Sequence, residues 1–162
     1  MLDLGCGCGI PVSRELSRRY DVTGVDLSPV QIERARRLVP GARFVCADMA
    51  TVAFEPFAFD AVVAFFSLIN LPLAEQAAVL ERVSGWLTPG GRLLAVVGKY
   101  ASTHLEPNFR GVRGVSMYWS YADVATYRDW FERVGLAIEE EGSEPRKGSP
   151  GFAVLIGRKR SP

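Results

Sequence analysis

Short apolar runs alternate along this chain with segments in which apolar residues recur at helical spacing, and no linker, internal repeat or low-complexity stretch interrupts the alternation. Such a pattern predicts strand–helix–strand units in one sheet. Met1 to Leu4 reads as a strand entering a glycine-rich loop, and Pro11 opens a helix whose Val12, Leu16 and Tyr20 repeat at every fourth position. Val22 to Asp26 is a second strand. Ser28, Pro29 and Gln31 supply an N-cap, a first-turn proline and a capping-box partner for an arginine-rich helix that runs to Val39 and stops at Pro40 and Gly41. Arg43 to Cys46 is a short third strand.

The run Ala61 to Phe66 (AVVAFF) is apolar without alternation, as a central parallel strand covered on both faces would be. A helix over Leu73 to Leu87, a turn over Thr88 to Gly91 and a strand over Arg92 to Val97 follow. A long loop from Gly98 leads to a helix capped by Ser120, with Asp123 behind it and a buried stripe of Val124, Tyr127, Phe131 and Val134. Gly135 closes that helix. Ala137 to Glu141 and Phe152 to Arg158 are the last strands, joined by a loop rich in Gly, Ser and Pro without a helix, so they are expected to pair antiparallel.

Composition narrows the function. With 162 residues, 48% apolar and 23% charged, the chain can bury the core of one soluble globular domain. Nineteen Lys and Arg against eighteen Asp and Glu leave a net charge of +1, so no overall field draws in a nucleic-acid backbone or an anionic membrane. The absence of a membrane-spanning apolar run and of a signal-type N-terminus makes the expected location cytoplasmic. Cys6, Cys8 and Cys46 are an odd set suited to a reducing compartment. With the lone His104 they are too scattered for a structural zinc site, so no metal is expected. The arginines of both early helices, Arg14, Arg18, Arg19 and Arg34, Arg36, Arg37, read as solvated faces.

The chemically informative segment is Asp3-Leu-Gly5-Cys-Gly7-Cys-Gly9, placed where the first strand gives way to a helix. Glycines there let the backbone turn sharply and approach a ligand, and the helix start offers free N–H groups. A nucleotide-like ligand at the carboxyl edge of the sheet is implied. The dinucleotide fingerprint fails, because the position of its third glycine is Ile10 counted from Gly5 and Val12 counted from Gly7. A triphosphate-binding loop fails too, since the glycine segment holds no lysine.

Asp-x-Gly-x-Gly-x-Gly on a first strand resembles the signature of class I S-adenosylmethionine-dependent methyltransferases. The likeness runs on in family order through GVDLSP with Asp26, CADM with Asp48 and Met49, FDAVVAFFSLINLP, LTPGGRLL and MYWSYADVATYRDWFERVGL. It implies one α/β domain over residues 1–162, with a Rossmann-like, doubly wound sheet of seven strands in the order 3-2-1-4-5-7-6, mostly parallel with the last strand antiparallel. It also implies S-adenosyl-L-methionine as cofactor. Asp26 would accept hydrogen bonds from both ribose hydroxyls, Asp48 from the adenine amino group, and Asp3 would face the methionine ammonium. Leu27 and Met49 would sandwich the adenine. Main chain at Gly5, Cys6, Gly7 and Gly9 would complete the cradle, with backbone around Phe66 and Ser67 facing the methionine end.

Each acid also has a plainer reading, Asp26 as a turn acid before an N-cap and Asp48 as a capping residue. Their shared position at successive strand ends favours ligand contact. Methyl transfer from a sulfonium needs alignment more than acid–base groups. His104 is the candidate catalytic base, and Asn70, Tyr100, Tyr118 and Trp119 are the candidate substrate-binding residues, for a small-molecule acceptor. A cofactor-binding module without catalysis and a nicotinamide-dependent oxidoreductase are the alternatives. Family members usually carry a helical cover ahead of strand one. This sequence starts within the strand, so the expected cover is absent or comes from a second subunit in a homodimer.

Overall fold

The computed structural model describes residues 1–146 and 149–161. Its main sheet has seven strands: β1 (Leu2–Leu4), β2 (Thr23–Asp26), β3 (Arg43–Cys46), β4 (Phe59–Ala64), β5 (Leu87–Gly98), β8 (Leu136–Arg146) and β9 (Ser149–Lys159). Between β5 and β8 lies a separate two-stranded hairpin of β6 (Ser102–Glu106) and β7 (Met117–Tyr121). The helices are α1 (Val12–Leu16), α2 (Pro29–Leu38), α3 (Leu73–Trp86) and α4 (Val124–Arg133).

The main sheet runs β3-β2-β1-β4-β5-β9-β8. Counting its strands alone, this is the expected 3-2-1-4-5-7-6 order. The last strand, β9, runs antiparallel to both β5 and β8, while β1 to β5 pair in parallel. Strand order reverses direction at β1 and β4, and right-handed crossovers therefore put α1 and α2 on one face and α3 and α4 on the other. Two separate apolar clusters match those faces. Ile32, Ala35 and Val39 of α2 close on Phe44 and Cys6, while Val79, Leu80 and Val83 of α3 join Tyr127 and Phe131 of α4 over the sheet centre. No helix among the described residues is long and apolar enough to cross a membrane.

Several elements depart from the sequence expectation. Helix α1 ends at Leu16 and leaves Tyr20 54% exposed, because the helix turns Ser13 inward to donate to Asp3 at 2.5 Å. The apolar stripe expected on Val12, Leu16 and Tyr20 therefore does not form. Strand β4 spans Phe59–Ala64, not Ala61 to Phe66, since the chain leaves the sheet at Phe65 and Phe66 takes a left-handed φ of 56°. The expected turn over Thr88 to Gly91 lies inside β5 as a bulge: Leu87 pairs with Phe59 and Arg92 with Ala61. Both final strands are longer than expected, and the part of their connecting loop at 147–148 lies outside the described residues.

The loop expected after Gly98 is the β6–β7 hairpin. Its first strand, STHLE, carries no apolar stripe from which to infer a period. The hairpin is held by the packing of Met117, Trp119 and Tyr121 against Ile69, Val96 and Phe152. Ser120 belongs to β7, where its hydroxyl meets Thr103 Oγ at 3.1 Å, so the cap of α4 passes to Asp123, whose carboxylate accepts the Thr126 N–H at 2.8 Å.

Candidate active site

The glycine loop leaves β1 and is pinned at once to the neighbouring strand. The N–H groups of Gly5 and Cys6 both donate to Val25 O, at 2.8 and 2.9 Å. Gly5 holds φ 83°, and a Cβ there would sit 2.2 Å from Ser67 Cβ, so only glycine lets the exits of β1 and β4 close together. Gly7 needs its hydrogen for conformation alone: φ is 54° and no atom lies within 4 Å of the position a Cβ would take.

Asp26, at the tip of β2, ties the loop to the next helix. Its Oδ2 accepts the Gly7 N–H at 2.8 Å and its Oδ1 the Ser28 N–H at 2.9 Å. Ser28 in turn caps α2 by accepting from Gln31 N–H at 3.3 Å. Because Asp26 takes the Ser28 N–H, the reciprocal arm of the expected capping box does not form and the buried Gln31 Oε1 has no partner. A carboxylate has about four acceptor positions, so both Asp26 oxygens retain capacity for a diol. Asp48 is also a turn residue, accepting the Ala50 N–H at 2.8 Å on Oδ1, while Oδ2 meets no donor among the described residues. The structural and the ligand-binding readings of these acids are thus compatible.

Beside the loop, at the carboxyl ends of β1, β2 and β4, opens a crevice of about 260 Å³. Of the residues singled out by sequence, Gly5, Asp26, Leu27, Asp48, Met49, Phe66 and Asn70 line it. Leu27 is 70% exposed at its edge, where its side chain can cover a flat ring. Ser67, Val25, Ala47 and Leu71 complete the wall. Sequence reasoning missed the last three, whose residue types carry no chemical signal.

Other residues stand apart. Asp3 lies beneath the loop, 2% exposed and bonded to Ser13, and does not reach the crevice wall. Burial pushes its carboxyl up from 3.8 to about 6, with the Ser13 hydrogen bond opposing and the charge of Asp26 adding to the rise. Cys6, Gly7 and Gly9 support the loop without lining the crevice, and burial raises the Cys6 thiol above its ordinary range, which makes it inert.

The acceptor-side expectations fare differently. His104 is exposed on β6, its Nδ1 2.9 Å from Ser102 Oγ, and does not line the crevice, because the hairpin carries it away from the strand tips. Trp119 is 6% exposed and its indole N–H donates to Glu106 at 2.9 Å, which makes it a packing residue. Tyr100 and Tyr118 also lie outside the lining, but Tyr118 O accepts from Asn70 Nδ2 at 2.8 Å, so the hairpin abuts the crevice rim. Among the described residues no cluster of His, Cys, Asp and Glu could hold a metal ion.

A glycine loop at a topological switch point, backed by an acid on the second strand, defines a nucleoside-binding α/β domain. The chain belongs to the methyltransferase domain family, whose sequence profile matches residues 1–91. It is 30% identical over 159 aligned positions to a ubiquinone biosynthesis O-methyltransferase of Xylella fastidiosa, covering 86% of this chain and 61% of that protein. It is 39% identical over 105 positions to a carboxy-S-adenosyl-L-methionine synthase of Geobacter metallireducens, covering 57% of this chain and 41% of that one. The chain thus spans less than two thirds of the length of either relative. Its fold superposes on an S-adenosylmethionine-dependent methyltransferase of Methanosarcina mazei with a TM-score of 0.84 at 18% identity, over 98% of this chain and 91% of that one.

The Methanosarcina mazei protein depends on S-adenosylmethionine. The donor set of the crevice suits that cofactor. Asp26 and Asp48 line the wall with Ser67 and Asn70, and no Lys or Arg is among the lining residues. Two carboxylates favour hydroxyl and amino donors and a cationic ligand.

Proposed function

We propose that residues 1–162 act as one domain that transfers a methyl group from S-adenosylmethionine to a small-molecule acceptor. The observation that carries the reading is the Asp26 carboxylate, held by the Gly7 and Ser28 N–H groups at the crevice wall with acceptor capacity to spare. Asp26 takes the ribose diol, and Oδ2 of Asp48 takes the adenine amino group. Leu27 and Met49 cover the two faces of the ring. Main chain at Gly5 and Phe66 faces the methionine end, where Asp3 acts from beneath the loop as a buried counter-charge to the ammonium.

When bound, the cofactor supplies an electrophilic methyl group on a neutral leaving group, so alignment and exclusion of water are the chain's main tasks. Asn70 lines the crevice and is fastened to the hairpin, which suits it to orient an acceptor. No general base is assigned. The nicotinamide alternative is disfavoured, because the third glycine of the dinucleotide fingerprint is missing, Ile10 or Val12 standing in its place.

Calorimetric titration with S-adenosylhomocysteine tests the site. Asp26→Ala removes acceptors for two charge-assisted bonds to the ligand, and affinity is expected to fall about 100-fold, or about 3 kcal/mol. Unchanged affinity in that variant refutes the assignment. Labelled methyl transfer to a panel of phenols, amines and carboxylic acids then separates an enzyme from a binding module, because cofactor binding without transfer to any of them supports the module.

A further inference from the structure

A second pocket, of about 370 Å³, lies at the opposite edge of the sheet, where the chain enters β4 and β5. Phe54, Phe57 and Trp86 supply its aromatic walls, and Arg82 and Lys159 its charges. Phe54 meets Phe59 and Trp86 edge-on at 5.0 and 5.2 Å, a fixed floor in the main core. Phe57 is 55% exposed and holds a left-handed φ of 61°, a strained state for an aromatic residue, with its N–H anchored on Gly85 O at 3.1 Å. That conformation keeps the ring over the Lys159 ammonium, 4.6 Å from its centroid, while the same ammonium donates to Ser84 O and Leu87 O.

Arg82 is the group without an internal explanation. Its Nε is buried and makes no hydrogen bond, and the guanidinium forms no ion pair among the described residues. No carboxylate is among the lining residues. The buried Nε is closed to a pocket occupant as it is to water, so what Arg82 offers the pocket is its pair of terminal Nη groups, a fork that a carboxylate fits with two parallel bonds.

We propose that this pocket binds a small aromatic carboxylate, its ring against Trp86, Phe54 and Phe57 and its carboxylate on Arg82 with Lys159 alongside. The site is independent of the methyl-transfer reading, lying at the amino ends of β4 and β5 whereas the crevice lies at the carboxyl ends.

The probe is 2-naphthoate, titrated calorimetrically, with 2-naphthalenemethanol as the uncharged control. Saturable binding of the acid is expected, with the alcohol at least tenfold weaker. Arg82→Met is expected to weaken the acid at least tenfold and leave S-adenosylhomocysteine affinity unchanged; Phe57→Ala, on an exposed loop, is expected to weaken acid and alcohol alike by severalfold. Equal binding of acid and alcohol, full binding by Arg82→Met, or competition between naphthoate and S-adenosylhomocysteine overturns the proposal. Should Arg82→Met fail to fold, the acid–alcohol comparison and Phe57→Ala decide it on their own. Loss of S-adenosylhomocysteine binding by the unmutated chain would strike the cofactor reading and leave the naphthoate result standing.

Discussion

The crevice and the hairpin are joined by a hydrogen bond from Asn70 to Tyr118 O and by packing of Phe66, yet they are built by different means. Around the crevice the polar side chains of Asp26, Asp48 and Ser67 are hydrogen-bonded to main chain at or beside the strand exits, so a few directional bonds set the shape of the wall. The hairpin is held by aromatic packing of Trp119, Tyr121 and Phe109 around Phe152, a residue from the far end of the sequence. Its outer residues Leu105, Val112 and Val115 remain exposed. A ligand that is the same throughout a family suits the first kind of construction, and a variable acceptor suits the second.

The sharpest way to break this contrast is Gly5→Val. The left-handed φ costs about 1–2 kcal/mol and the collision with Ser67 about 1–3 kcal/mol, so a stability loss of about 4 kcal/mol is expected in urea denaturation. A loss below about 1 kcal/mol would mean that the loop is not a close-packed joint.

Asp3 comes next. Its folded value of about 6 lies above its ordinary 3.8, so between these pH values the folded chain binds more protons than the unfolded one. Its contribution is therefore most favourable below pH 3.8 and is lost as pH rises through 6, by about 3 kcal/mol in all at 1.36 kcal/mol per pH unit. Asp3→Asn should flatten that part of the stability profile. A ligand ammonium above the carboxyl favours its ionised form, so S-adenosylhomocysteine should bind more tightly as pH rises through 6 and release protons there. Buffer-independent binding enthalpies at pH 6 would remove Asp3 from the ligand's surroundings.

Asp48→Ala should weaken S-adenosylhomocysteine by about tenfold, the worth of one hydrogen bond to a charged acceptor, with little change in stability beyond the lost Ala50 turn. The smallest effect is expected from His104→Ala. Its ring sits on the exposed hairpin, so cofactor affinity should be unchanged and methyl transfer, once an acceptor is found, should drop by less than about twofold. A drop of about 100-fold or more would restore it as a base.

Much of the crevice was legible in the residues. Gly5, Gly7 and Gly9 all hold positive φ, as a glycine spacing at a strand exit suggested, and Asp26, Leu27, Asp48 and Met49 fall around one crevice. The failures have a common cause. Val12, Leu16 and Tyr20 have helical spacing, but a hydrogen bond from Ser13 to a buried acid on another element outweighed it. Ser120 and Asp123 are both good caps, and pairing of Ser120 with Thr103 across the hairpin chose between them.

The residues alone determined the alternation of strands and helices, the glycine loop and the acids at the strand tips, because periodicity, φ preference and capping act over a few neighbouring positions. Tertiary structure decided where β4 lets the chain go at Phe66, whether the stretch after Gly98 pairs as a hairpin, and which aromatic side chains are buried. Those outcomes depend on contacts between residues far apart in the chain, whose free energy exists only once the sheet has brought them together.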